Sequence, residues 1–522
     1  MSIAKKYDFF LILEFIILLA LIAGIIFINF SHMAHFYCTD MYTDMIYATE
    51  VWKDGTVFPD GWVFGNQFYV VATPVLSALF YGLTNDAILS MSIASTMMAL
   101  LVITSFFWMI APVIEDRADR FFAVALFVML PLITGDGAVK TNGWQLLFTL
   151  CSYYACYAVT AFLAFGLYVR QFSDQPKKHY LMISIVLILS FCTGIQSLRQ
   201  TLIMVIPMLG FEFCNFLYRY FRKMPICRGS LMLTGLIALS NLLGVLTVRF
   251  IEVNQVVIFG DMQINWSIGS GIKEAVINII SLFNIEHKGL LLFAAVVIVS
   301  VFLKYLQPGN HANNRLEFVL SMLLLFSIIA VAVVDIITTM NVRNIYYFMM
   351  YPSLACWTIQ FLSLPFFKTK TVKQFTALVI SILFAYCAAC NFYQTMNQAS
   401  VDQQESYTEI ANDLLDQHIT TVYSQWNVAE KIAIVSDMNL KAAFWDASHE
   451  PFLEVRYLCN PDIFDKHDSK SSAYLFVGSK ATDHAIQIVQ DHGYQITLLK
   501  YYPECDIYVF TSEFDLINLI QY

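Results

Sequence analysis

Charged residues are scarce in this sequence. Asp, Glu, Lys and Arg make up 13% of the 522 residues, whereas a soluble globular domain has about 25%. Apolar residues make up 58%, and apolar runs recur from Phe9 to about Cys390. Such a chain cannot cover its apolar surface in water, which excludes a soluble protein, a disordered chain and a soluble enzyme with one membrane tail. The remaining class is a polytopic membrane protein.

Cysteines in a polar setting are also few. Most of the cysteines lie inside apolar runs, where cysteine acts as a small hydrophobic residue. No CxxC pair with further metal ligands lies in a polar stretch, which excludes a zinc framework and a disulfide scaffold. Cys459 and Cys505 follow the last apolar run, and their spacing alone leaves a disulfide between them open.

Several apolar runs have the length that a helix needs to cross a bilayer, about 20 residues. They lie at roughly 9–30, 88–110, 121–134, 145–168, 180–196, 201–218, 231–250, 289–306, 316–337, 345–366 and 375–393. The predicted fold class is therefore a polytopic α-helical membrane protein with about 11 transmembrane helices.

One more run, 68–82, is marginal for a span because it is short and has Pro74 in its middle. If 68–82 does not span, all basic loops fall on one side of the membrane, the cytoplasmic one. We therefore interpret 68–82 as interfacial. The N-terminus is then cytoplasmic and the C-terminus extracytoplasmic, and the expected location is the plasma membrane, as a multi-pass protein.

The composition divides the chain into two domains. Residues 1–393 contain the apolar runs and the outer loops 31–67, 134–144 and 251–288. Residues 394–522 are polar and alternate short β-rich runs (KIAIVS, AYLFVG, QITLLK and DIYVF) with helical stretches. This alternation predicts a small α/β domain outside the membrane.

Three acidic residues lie in the outer loops near the predicted membrane surface. Asp40 and Asp44 are four residues apart in the first loop, and they share one face if that stretch is helical. Asp136 lies between two glycines in the second loop. Carboxylates at a membrane rim are candidates for a general base or a metal site, and solvated loop charges are the alternative.

Lys and Arg are depleted on the outer side of membrane proteins, so the few that lie near the membrane there are candidates for a specific role. These are Lys140, Arg199, Arg249 and Arg343. Cations at helix ends beside a bilayer can bind an anionic lipid head group, and arginine suits phosphate geometry. The alternatives are snorkelling side chains and structural pairs with Glu252 or Asp335.

The layout resembles that of the type C (GT-C) membrane glycosyltransferases, which include the bacterial aminoarabinose transferases and the protein O-mannosyltransferases. In that family an acidic residue opens the first outer loop, and a Tyr-Ala helix, a glycine and a proline follow. Here Asp40 is followed by Tyr47-Ala48, Gly55 and Pro59. The resemblance covers residues 1–393 in architecture.

Other segments resemble the same family. The 68–82 segment is similar to its proline-containing interfacial helices, and RNIYYFMMYPSL is similar to its Arg-Tyr-Tyr helix start. Asp136 lies where the family often has a second outer-loop acid. There are departures, since Met41 follows Asp40 where many members have an acid, and no DxD-type metal motif is present.

The resemblance implies an enzyme that moves a sugar from a polyprenyl-phosphate-linked donor to an acceptor hydroxyl on the outer face, with inversion. The implied roles are proton acceptor for Asp40, with Asp44 as the second candidate, acceptor orientation for Asp136, and phosphate binding for Lys140, Arg199, Arg343 and, more weakly, Arg249. The acceptor is a lipid, a glycan or a protein, and membrane lipids are further partners. Nucleic acid is not expected, no cofactor is required by the pattern, and a divalent metal stays open.

Two other classes compete with this reading. A polymerase or ligase of surface glycans handles the same class of lipid. A lipid or solute transporter would have ionisable residues at mid-membrane, broken helices in matching halves and inverted repeats. The sequence shows none of these, and its acids cluster in the outer loops.

Overall fold

The computed structural model shows that helices make up most of the first 399 residues. Helices satisfy their own backbone hydrogen bonds, as a bilayer requires. The structure describes residues 9–31, 39–134, 143–149, 152, 154–173, 179–225, 227–251, 253–255, 264, 266–283, 288–306, 315–338, 344–367, 369–399, 404–445, 452, 454–456, 458–465 and 468–519. The helices of this part are α1 (Phe9–Ser31), α2 (Thr39–Asp54), α3 (Thr73–Thr84), α4 (Ala87–Ile110), α5 (Arg117–Thr134), α6 (Gly143–Leu147), α7 (Ala155–Arg170), α8 (Tyr180–Gln196), α9 (Ile206–Phe221), α10 (Arg228–Thr247), α11 (Ile268–Ser281), α12 (Lys288–Leu306), α13 (Arg315–Ile337), α14 (Met350–Leu362) and α15 (Lys370–Ala399).

Within the described residues, 7 helical segments are long and apolar enough to cross a membrane. They are Phe9–Ser31, Ala87–Ile110, Thr201–Phe221, Arg228–Phe250, Gly289–Leu306, Arg315–Ile337 and Lys370–Gln394. The other predicted spans form the shorter helices α5, α7, α8 and α14. Helix α3, in the run interpreted as interfacial, has 12 residues and is about 18 Å long, well short of a hydrocarbon core of about 30 Å.

The predicted span 145–168 is not one helix, and this part of the sequence-based prediction is wrong. Helix α6 ends at Leu147 and α7 begins at Ala155, and between them Ser152 has a φ of 47°. Two other predicted spans begin irregularly, with a π-helical turn at Thr201–Val205 and a 3₁₀ turn at Asn344–Tyr347. Hydropathy does not reveal such breaks, because the residues remain apolar where the helix stops.

The C-terminal part is an α/β domain, as predicted. Its elements are α16 (Gln404–Asp416), β3 (Thr421–Gln425), α17 (Trp426–Val435), β4 (Lys441–Trp445), α18 (Asp462–Asp465), β5 (Ser472–Val477), α19 (Ser479–Asp491), β6 (Thr497–Tyr502) and β7 (Ile507–Thr511). The sheet has the order β4-β3-β5-β7-β6, in which β3 pairs in parallel with β4 and β5, and β7 is antiparallel to β5 and β6. Two short strands of the membrane part, β1 (Val63–Phe64) and β2 (Asn254–Gln255), pair in parallel.

The segment KIAIVS is the end of helix α17, and its assignment to a strand is wrong. A short apolar run fits a buried helix as well as a strand, because both hide all their side chains. Here Ile432 and Ile434 are both buried in a helix that packs on two sides. Cys459 and Cys505 are free thiols in this structure, so the disulfide left open by the sequence is not formed.

Helices α8 and α10 cross at two glycines, Gly194 and Gly244. A Cβ on Gly244 would lie 2.1 Å from the carbonyl oxygen of Phe191, and one on Gly194 would lie 2.4 Å from that of Asn241. Both obstacles are backbone atoms, so neither can move without separating the helices. The close crossing fixes the end of α8, where Gln196 lies.

We expect Gly244→Ala to destabilise the protein by about 1–3 kcal/mol, the typical cost of overpacking. The matched control is Gly235→Ala in the same helix, where a Cβ meets nothing within 4 Å. Alanine favours a helix over glycine, so the control should be neutral or stabilising. Thermal unfolding in detergent measures both, and equal melting temperatures for the two variants would contradict the close crossing.

Candidate functional site

Helix α2 lies at the centre of the candidate site and is buried over most of its length. Tyr47, in the Tyr-Ala pair of the sequence motif, is fully buried and donates from its hydroxyl to the carbonyl oxygen of Val57 at 2.6 Å. Gly55 ends the helix with a φ of 67°, as a glycine after a helix C-terminus commonly does. The motif therefore folds the first outer loop back onto its own helix.

The two acids of α2 differ in environment. Asp40 lies in the first helical turn and is exposed, whereas Asp44, one turn later, is only 2% exposed. An acid in the first turn is favourable with the helix dipole and needs no further reason. A buried carboxylate is costly unless it accepts hydrogen bonds, so Asp44 needs partners.

Tyr69, from the loop before α3, is a neighbour of Asp44. Its hydroxyl lies within reach of the charge of the Asp44 carboxylate, and its ring packs on Tyr47 with centroids 5.0 Å apart. Burial, and to a smaller extent the charge of Asp44, raises the pKa of the Tyr69 hydroxyl well above its ordinary value of 10.0. Tyr69 therefore stays protonated.

Gln67, two residues before Tyr69, contacts an arginine. Its Oε1 accepts from Arg199 Nη1 at 2.5 Å and from the Tyr157 hydroxyl at 3.2 Å. We call the group Asp44, Tyr69, Gln67 and Arg199, which leads from the acid to the cation, the acid–arginine chain. It joins residues from the first outer loop to the end of α8.

Arg199 lies between two tyrosine rings, in the short helical start that directly precedes the π-helical turn and follows the break after α8. Its guanidinium carbon is 5.1 Å from the ring centroid of Tyr154 and 5.5 Å from that of Tyr346. Tyr154 immediately precedes α7, and Tyr346 lies in the 3₁₀ turn before α14. The irregular starts of these helices therefore bring the cation and both rings together, as irregular helix segments often do at functional sites.

A mainly apolar cavity of about 440 Å³ ends at Arg199. Its lining consists of Tyr154, Arg199, Leu202, Ile203, Val331, Val334, Tyr346 and Phe348. Apolar walls with one cation suit an amphiphilic anion, whose hydrocarbon part lies along the walls and whose charged group contacts the guanidinium.

Two buried polar residues hold the cavity walls in place. Gln196 Oε1 accepts from the backbone N–H groups of Val70 and Val71, both at 3.2 Å, and its Nε2 donates to the Tyr157 hydroxyl at 3.0 Å. Asp335 accepts from the hydroxyl of Tyr347 at 2.8 Å and so fixes the 3₁₀ turn that contains Tyr346. Asp335 thus supports the turn that carries one of the two tyrosine rings beside Arg199.

The predicted site residues fall into three groups. Asp40, Asp44 and Arg199 lie around the acid–arginine chain. Arg249 is exposed in the 3₁₀ turn Val248–Phe250, and none of the contacts described above joins it to that chain. Asp136, Lys140 and Arg343 lie outside the described residues.

Sequence reasoning missed the neutral members of the site. Gln67, Tyr69 and Gln196 have no charge, and each lies beside an apolar run where nothing marks it as functional. The available signal was a polar side chain at the boundary of an apolar helix, as in QFY and GIQS. Among the described residues, no group of three or more His, Cys, Asp or Glu side chains could hold a metal ion.

Comparisons with known proteins give a structural match and no sequence match. No protein-family model matches the chain, and no curated protein matches it. Among solved structures it is similar to the crystal structure of ArnT from Cupriavidus metallidurans bound to undecaprenyl phosphate, with a TM-score of 0.56 and 11% identity, over 96% of this chain and 98% of that one. The chain therefore has the GT-C fold of a polytopic helical membrane protein with a C-terminal sheet region, which confirms the fold that the sequence resemblance predicted.

Proposed function

We propose that this GT-C-fold membrane protein is a glycosyltransferase that moves a sugar from a polyprenyl phosphate to an acceptor hydroxyl on the outer face of the membrane. The observation that supports it is the acid–arginine chain, which leads from a buried carboxylate to a cation that lines an apolar cavity. A lipid-linked phosphate needs the cavity and the cation, and the attack of a hydroxyl needs the carboxylate. ArnT, which has the same fold, was crystallised with undecaprenyl phosphate.

The proposed reaction is a single displacement. The acceptor oxygen attacks the anomeric carbon while a carboxylate takes its proton, and the bond from that carbon to the phosphate oxygen breaks. The electron pair of the broken bond stays on the phosphate, where Arg199 stabilises the developing charge. Attack from the side opposite the phosphate inverts the anomeric carbon.

We assign the proton acceptor to Asp44, although the sequence pattern favoured Asp40. Asp44 is shielded from bulk water and lies near Tyr69, two residues from the Gln67 that contacts Arg199. A base fixed in this way does not have to be reoriented when the acceptor arrives. Asp40 contributes its charge near Tyr69 and the entry to α2.

The remaining expectations from the sequence stay proposals. Asp136 would orient the acceptor, and Lys140 and Arg343 would complete the phosphate site with Arg199. Arg343 is three residues before Tyr346, which contacts Arg199. The proposed orientation has the N-terminus in the cytoplasm and the C-terminal domain outside the plasma membrane, because the basic loops then face the cytoplasm.

A strain that lacks this protein tests the function. Mass spectrometry of its lipid extract should show an accumulated polyprenyl-phosphate sugar, which disappears when the wild-type chain is restored. A transporter would also change the lipid pool, so the purified protein must cleave the donor in detergent and release polyprenyl phosphate as the sugar appears on the acceptor. Movement of an intact lipid without cleavage would replace the transferase by the transporter.

Sided vesicles test the orientation with the same donor. Right-side-out vesicles should use a short-chain, water-soluble polyprenyl-phosphate sugar added from outside, whereas sealed inverted vesicles should not. The opposite preference would place the site on the cytoplasmic side and reverse the proposed topology.

A further inference from the structure

The α/β domain contacts helix α2 through a buried hydrogen bond between side chains that are 387 residues apart. Thr43 Oγ1 donates to Glu430 Oε1 at 2.5 Å, and the two residues are 2% and 0% exposed. Glu430 lies in α17, immediately after strand β3. Burying a carboxylate at an interface costs free energy unless it is hydrogen-bonded. The hydrogen bond from Thr43 offsets part of this cost, and Glu430 receives it only when the α/β domain is docked in this way.

A second contact lies at strand β1. The N–H of Val63 donates to the carbonyl oxygen of Cys459 at 2.9 Å, and the N–H of Leu458 donates to the carbonyl oxygen of Val63 at 2.6 Å. Burial, with a smaller effect from the charge of Glu430, raises the pKa of the Cys459 thiol to about 12. The α/β domain is thus attached to the first outer loop on both sides of its turn.

Apolar packing reinforces the attachment. Ile434 of α17 is 2% exposed and belongs to the same core cluster as Met41 and Met45 of α2. Met41 and Met45 are fully buried. Helix α2 therefore has the α/β domain on one face and helix α3, with the loop that contains Tyr69, on another.

Thr43 and Asp44 are adjacent in α2, and adjacent helical residues point in directions about 100° apart. The Thr43 side chain is hydrogen-bonded to the α/β domain, while the Asp44 carboxylate lies near Tyr69 of the membrane domain. A rotation or shift of α2 that broke the hydrogen bond of Thr43 would move the Asp44 carboxylate by a comparable distance. This hydrogen bond therefore helps to determine how α2 is rotated about its axis.

We propose that Glu430 is a positioning residue for the transfer reaction, and that the α/β domain, through Glu430 and Thr43, fixes the rotation of α2 that orients Asp44 toward the acid–arginine chain. The C-terminal domain is on this basis part of the catalytic unit. The catalytic consequence of this inference rests on the proposed function. The docking of the α/β domain on α2 does not depend on the proposed function.

Thr43→Val tests the inference in the full-length protein, because valine has the shape of threonine without the hydroxyl. We expect kcat to fall about 10- to 100-fold, the loss that follows a misplacement of about 1 Å, while the KM for the donor stays unchanged. Thr43→Ser keeps the hydroxyl and should retain most of the wild-type kcat. Glu430→Ala should give the same split between kcat and KM as Thr43→Val.

Hydrogen exchange provides a measurement that needs no substrate. Peptides covering α2 should exchange faster in Thr43→Val and Glu430→Ala than in the wild type. The control Glu409→Ala removes an acid of the same domain whose ion pair with Lys500 is exposed, and it should change neither kcat nor exchange in α2. Full kcat in both test variants, or unchanged exchange in α2, would overturn the proposal. Because exchange is independent of the reaction, a failure of the proposed function is distinguished from a failure of the docking.

Discussion

Asp44→Asn is expected to lower the rate of sugar transfer by about a thousandfold, within the range that a general base contributes. Asparagine keeps the size of the side chain, and its amide oxygen can still accept a hydrogen bond. It cannot take a proton from the attacking hydroxyl near neutral pH. Folding, and the binding of the donor at Arg199, should therefore survive while turnover is lost, as measured with purified protein and a polyprenyl-phosphate sugar.

Asp40→Asn is the matched comparison, since it makes the same change one helical turn earlier. Asp40 is exposed in the first turn of α2, so its loss should weaken transfer by about tenfold or less. An inactive Asp40 variant beside an active Asp44 variant would assign the proton acceptor to Asp40, as the sequence pattern favoured. Full activity in both would remove the first outer loop from the catalytic site and favour a transporter.

Arg199→Ala should produce the second large effect, a loss of about a hundredfold or more in kcat. Among the described residues, this guanidinium is the cation that lines the apolar cavity, where we propose that the phosphate charge develops during the reaction. Arg199→Lys keeps the charge but loses the planar contact with Tyr154, Tyr346 and Gln67, and it should recover part of the rate. Steady-state kinetics with the lipid-linked donor measure both variants.

Substitutions of two further arginines serve as comparisons for the loss of kcat in Arg199→Ala. Arg222→Ala is the control, because Arg222 is exposed at the far end of the helix that follows Arg199. Arg249→Ala tests the sequence-based set, and it should be far milder than Arg199→Ala, since Arg249 is exposed in the 3₁₀ turn Val248–Phe250. Equal losses for Arg199 and Arg249 would show that the phosphate lies elsewhere on the outer surface.

The contribution of the C-terminal domain was underestimated from the sequence. Its composition predicted an α/β unit beside the membrane, and strands β5, β6 and β7 were anticipated from AYLFVG, QITLLK and DIYVF. The helix that docks on α2 was interpreted as a strand, which concealed Glu430. The contact between Thr43 and Glu430, which shows the docking, exists only in the tertiary structure.

The sequence by itself determined the membrane class, the helical segments, the short proline-containing helix α3 and the division into two domains. It also showed the GT-C resemblance, and it singled out Arg199, Asp40 and Asp44 as charged residues near the ends of apolar runs. These properties are local, because hydropathy and length over about 20 residues decide whether a segment is a membrane helix. A charged residue near a predicted helix end can likewise be identified from the sequence, without knowing which residues surround it in the fold.

Only the tertiary structure decided which of these residues act together. The acid–arginine chain joins Gln67 to Arg199 across 132 residues, and the neutral side chains that complete it have no distinguishing pattern in the sequence. The structure also separated the buried Asp44 from the exposed Asp40, a difference that their four-residue spacing conceals. The physical reason is that a hydrogen bond between distant residues, and the burial of a carboxylate, depend on how helices pack, and packing is a property of the whole chain.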